Sequence, residues 1–86
     1  MFHYVARIIN HRKGFNHWRS ITLTVPASRK MRLIFEEGES KISFEVEGIE
    51  WQEQSGGLVY LNLWWHPAMD DRVKALISGD SRWHTE

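Results

Sequence analysis

The residues best suited to chemistry in this chain are concentrated in HRKGFNHWR, His11 to Arg19. Cations there surround Phe15 and Trp18, a combination that can neutralise phosphates while the rings stack on bases, as in single-strand binders. Arg12, Lys13, Phe15, His17, Trp18 and Arg19 are therefore the candidate contacts to a partner, either a protein or a strand of DNA or RNA. The same residues also suit a solvated hairpin loop with its aromatics tucked beneath it.

Catalytic and metal chemistry find less support. The five histidines include His11, His17 and His66, but no HxxxH spacing or short carboxylate–histidine cluster of the zinc type accompanies them. The serines lack a GxSxG context, no phosphate loop occurs, and one small core leaves little room for a deep pocket. A small metal-independent ribonuclease using loop His, Arg and Glu is a third alternative, because general acid–base catalysis needs only positioned groups of suitable pKa. No catalytic residue, metal ligand or cofactor is assigned.

Zero net charge hides a segregation along the chain. The first 32 residues hold Arg7, Arg12, Lys13, Arg19, Arg29, Lys30 and Arg32 with no acid, whereas Leu33 to Gln54 holds seven glutamates against Lys41. The basic part suits phosphates, and the acidic part suits either a basic partner or a soluble outer face. Opposite charges in one chain are also compatible with a homodimer. The five tryptophans cannot easily all be core, since Trp64 and Trp65 are adjacent and point to opposite faces of a strand; most are expected inside.

These side chains need a scaffold, and 86 residues suffice for one core. An apolar fraction of 42% marks a folding chain, and zero cysteines leave aromatic packing, without disulfides, to stabilise it. The expected location is cytoplasmic: no stretch is long and apolar enough to span a membrane, and MFHYVARIINHRK lacks a signal peptide's order.

Period-two alternation places strands over Phe2 to Ile9 and Ser20 to Val25, with Asn10 to Trp18 as the loop between them. Met31, Leu33 and Phe35 face Ile42, Phe44 and Val46 across a Gly38-Glu39 turn. Pairing Phe35 with Ile42 and Leu33 with Phe44 also sets Glu36 against Lys41 and Arg32 against Glu45, so both faces agree on one register. The apolar phase then shifts at Gly48, as at a β-bulge. LVYLNLWW, apolar on both faces, reads as a central strand covered on each side, and helical spacing places a helix near 68–78.

The expectation is a mainly β (α+β) domain over residues 1–79: a small curled antiparallel sheet or partly open SH3-like barrel of about five strands with one short C-terminal helix. Residues 80–86 read as a flexible tail, although Trp83 can dock back. The expected function is that of a non-enzymatic interaction protein, an adaptor or inhibitor, binding a protein partner through exposed aromatic and charged residues of the sheet and its long first loop. Nucleic-acid binding by His11 to Arg19 is the alternative.

Overall fold

The computed structural model describes the backbone of residues 1–86 and every side chain except those of Glu37 and Ser40. Strands β1 (Phe2–Asn10) and β2 (Phe15–Leu23) form a hairpin. A single 3₁₀ turn at His11–Lys13 joins them, closed by Gly14 in the left-handed region at a φ of 80° that glycine adopts without steric cost. The loop expected over Asn10 to Trp18 is thus a four-residue connection, and β2 begins at Phe15. Phe15 is fully buried, and from it the inward row runs at period two through His17, Arg19, Ile21 and Leu23, opposite Ile8, Ala6, Tyr4 and Phe2.

Strands β3 (Arg32–Glu37) and β4 (Ser40–Gln52) pair in the expected register, Leu33 with Phe44, Phe35 with Ile42, Arg32 with Glu45 and Glu36 with Lys41. Gly38 has a φ of 59°, the conformation required where glycine opens a tight hairpin turn. The ladder between β4 and β5 (Leu58–Trp64) slips between Val46 and Gly48, where the apolar phase changes.

β5 returns beside β1 in parallel, through Val5–Tyr60, Ala6–Leu61 and Arg7–Asn62, so the sheet is mixed rather than wholly antiparallel. Helix α1 (Asp70–Gly79) follows a 3₁₀ turn at Pro67–Met69 and buries Val73 and Leu76. It begins two residues later than expected. Residues 80–86, expected as a flexible tail, lie back on the sheet, with Trp83 buried and a short sixth strand, β6 (His84–Thr85), on β2. The sheet order is β3-β4-β5-β1-β2-β6, a curled half-barrel.

Its inner face holds the core. Ala6, Ile8, Val46, Leu61 and Leu63 pack with Val73 and Leu76 around a chain of edge-on rings. Phe15 meets Trp65 at 4.9 Å, Trp65 meets Phe44 at 6.1 Å, Phe44 meets Phe35 at 5.6 Å, and Phe35 meets Trp83 at 5.6 Å. This chain joins β2, the end of β5, β4, β3 and the C-terminal segment. β5 is central but covered on one face only: Leu61 and Leu63 are buried, whereas Tyr60 and Asn62 are partly open and Trp64 is exposed. Only Trp65 and Trp83 among the tryptophans are buried, which corrects the expectation that most are core.

Phe44→Ala is expected to cost about 3–5 kcal/mol in urea unfolding, because it opens a cavity in the middle of the ring chain. Ile34→Ala on the adjacent strand, with its side chain in water, should change stability by less than about 0.5 kcal/mol.

Candidate binding seam between two free strand edges

The two ends of a half-barrel's sheet do not meet. β3 is the last strand on one side, with no strand beyond it among the described residues. On the other side β6 pairs with β2 only at His17 and Trp18, leaving the edge from Arg19 to Leu23 without a strand partner. Between these edges opens a cleft of about 790 Å³.

Strand periodicity decides what lines it. The inward rows supply Tyr4, Ile21, Leu23, Leu33 and Phe35, and Met31 joins them from the adjoining loop. Around the mouth stand Val25, Ile34 and Leu58, which are 49%, 63% and 46% exposed. Among the described residues, the charged ones lining the cleft are Arg19, Arg32 and Arg82, with His3 beside them and no Asp or Glu. One end is closed by the connection from β2 to β3, where the Ala27 amide donates to the Tyr4 hydroxyl at 2.9 Å and the Lys30 amide to the Val46 carbonyl at 2.7 Å.

The cationic wall is built on one buried acid. Asp80, 6% exposed, accepts from Arg82 Nε at 2.9 Å, Arg82 Nη2 at 3.0 Å, the Arg82 amide at 3.0 Å and Arg19 Nη1 at 3.3 Å. The hydrogen bond from the Arg82 side chain leads in holding the Asp80 carboxyl below its ordinary value, while burial opposes it. Two guanidinium groups share this carboxylate. Arg19 lies with its guanidinium carbon 5.2 Å from the centre of the Phe35 ring, and its buried Nε has no acceptor. Burial lowers the Arg19 pKa, Arg82 adds to that fall, and Asp80 opposes it. An unmatched buried donor is costly, and an incoming carbonyl or carboxylate oxygen would match it.

The free edge of β3 carries its own unmet groups. Glu37 and Ser40 close a two-residue turn, so the hydrogen-bonded pairs alternate from there through Phe35–Ile42 and Leu33–Phe44. The N–H and C=O groups of Arg32, Ile34 and Glu36 therefore point away from β4, toward the seam.

Of the six residues singled out by sequence, the structure brings only Arg19 to this seam. Arg12 is exposed on the 3₁₀ turn, and Lys13 pairs with Asp70 at 2.9 Å. Phe15 is core, and His17 is half-buried on the inward row. Trp18 lies on the outer face, its ring 4.5 Å from that of His84. The six do not share one surface, because alternation along β2 sends neighbours to opposite sides. Arg82, Asp80 and the exposed Ile34 were not singled out; the signal for Ile34 was an apolar residue out of phase with Leu33 and Phe35.

On the outer face Arg7 donates to Asn62 Oδ1 from Nε at 2.9 Å and Nη2 at 2.6 Å, reaches Glu50 at 3.1 Å, and lies over the Tyr60 ring at 4.7 Å. Hydrogen bonds from Asn62 and then Gln52, with the Arg7 charge, lower the Glu50 pKa. Among the described residues no group of three or more His, Cys, Asp or Glu side chains is placed to hold a metal, and no helix is long and apolar enough to cross a membrane. No family model, curated protein or solved structure matches this chain.

The Asp80 anchor makes a prediction about acid. Its folded pKa is depressed, so the stability it contributes is present above the ordinary value of 3.8 and lost as pH falls through the lower folded-state value. Asp80→Asn is expected to cost about 2 kcal/mol at neutral pH, from lost hydrogen bonds to a charged group. In urea titrations the gap between the two proteins should stay constant above roughly pH 5 and narrow below the ordinary carboxylate range.

Proposed function

We propose that this chain is a non-enzymatic interaction protein whose seam accepts an extended acidic–apolar segment of a protein partner as an added strand along β3. The observation that carries the reading is an apolar cleft lined by Arg19, Arg32 and Arg82, with no Asp or Glu among its described lining residues, beside an unpaired strand edge.

Each part of the seam fits one feature of such a segment. Backbone groups of Arg32, Ile34 and Glu36 would pair with its main chain, which supplies affinity in strand addition, while alternate side chains supply specificity. Inward side chains would meet Ile21, Leu33 and Phe35, so apolar residues are favoured there. Carboxylates would meet Arg19, Arg82 or Arg32, and a lysine-bearing segment would meet repulsion. The exposed Val25, Ile34 and Leu58 would be covered in the process. This is the arrangement of an apolar centre with a polar rim common to protein interfaces.

A labelled peptide alternating Glu with Val or Phe should bind with a dissociation constant on the order of 1–100 µM by fluorescence anisotropy, as expected of a small interface. Its lysine counterpart should bind at least about tenfold more weakly, a difference of roughly 1.4 kcal/mol. Ile34→Pro removes an N–H that β4 does not use and is expected to abolish binding while the thermal transition persists. Equal binding of both peptides, or binding unaffected by Ile34→Pro, would contradict the proposal. Tighter binding of single-stranded RNA, lost in Arg12→Ala with Lys13→Ala, would instead favour the nucleic-acid reading.

A further inference from the structure

We infer that the acidic–apolar strand taken by this seam is β3 of a second copy of the chain, paired antiparallel about a two-fold axis at Ile34. The inference rests on the reading of β3 as an accepting edge and names its occupant.

β3 reads Arg32-Leu33-Ile34-Phe35-Glu36, and this string is complementary to itself in the antiparallel sense. With Ile34 opposite Ile34 of the second copy, Arg32 faces Glu36 of that copy, and Leu33 faces its Phe35. The register is selected by two independent requirements. Only residues whose N–H and C=O groups point outward can pair across a free edge, which restricts the match to Arg32, Ile34 and Glu36 against one another. Among the two-fold registers that satisfy this, an axis at Arg32 or Glu36 sets like charges face to face, and one at Leu33 or Phe35 sets a charged residue against Ile34. The axis at Ile34 alone places opposite charges together, twice, and satisfies the outward groups of all three residues.

The side chains are available for that exchange. Among the described residues, Glu36 makes an exposed ion pair to Lys41 at 3.5 Å and Arg32 a 3.3 Å hydrogen bond to Ser43. Exposed pairs of this kind contribute little. Ile34 is 63% exposed on a strand with no proline and no register slip against β4, two of the devices that protect natural edges. A self-complementary patch generates a closed dimer, not a fibre, because the same surface is used on both partners. Three residue pairs make a small interface, so the dimer should be weak, with dissociation in the range of about 10–100 µM.

The test is charge exchange read by sedimentation equilibrium from roughly 10 µM to 1 mM, a range that brackets that affinity. The wild-type protein should shift from monomer to dimer mass. Arg32→Glu and Glu36→Arg should each stay monomeric, since each sets like charges opposite one another. An equimolar mixture of the two should regain the dimer, because every pair is then opposite in sign. Ile34→Pro should be monomeric with a wild-type circular dichroism spectrum. A monomeric wild type over the whole range would overturn the inference. So would folded single variants whose mixture stays monomeric, or an Ile34→Pro protein that still dimerises. The outcomes separate this inference from the wider reading: a monomeric wild type that binds the acidic peptide through Ile34 leaves the foreign partner standing, whereas charge-matched dimers without peptide binding leave only the second copy.

Discussion

The edge-on chain of Phe15, Trp65, Phe44, Phe35 and Trp83 is the interaction on which the rest depends. It runs across the inner face from β2 to β3. With α1 contributing Val73 and Leu76, the concave side is occupied. The ends of the sheet stay apart, and Leu33 and Phe35 belong both to the core and to the lining of the cleft between those ends.

Charge follows the same geometry. Arg7, Lys13 and Arg19 lie in the basic first third, yet each has a carboxylate partner distant in sequence: Glu50, Asp70 and Asp80. Part of the apparent segregation along the chain is internal pairing that becomes visible only once β1, β2 and the C-terminal segment are assembled. At the seam Arg19 and Arg82 share the buried Asp80, and Arg32 lines the same cleft, while the whole chain remains neutral.

The sequence revealed local pairings better than distant ones. The β3–β4 register was legible because charge and apolar rows agreed on it, and the slip at Gly48 because the apolar phase changed there. The parallel pairing of β1 with β5 joins residues more than fifty positions apart and leaves no periodic trace. Arg19 reaches the seam by strand phase and not as part of a loop: Phe15, Ile21 and Leu23 share one period-two row, and Arg19 belongs to its inward face. The tail was misread. Its docking rests on Trp83 closing the ring chain and on Asp80 binding Arg19, both contacts with partners far along the sequence. Strand phase was thus readable, whereas the partners of isolated side chains were not.

The central claim is that β3 presents outward backbone groups awaiting a strand, and amide hydrogen exchange followed by NMR tests it residue by residue. In dilute solution the amides of Arg32, Ile34 and Glu36 should exchange rapidly while those of Leu33 and Phe35 are protected. Raising the protein concentration or adding the acidic peptide should then protect the first three. Protection of all five in dilute solution, or no gain at Arg32, Ile34 and Glu36 under either condition, would contradict the account.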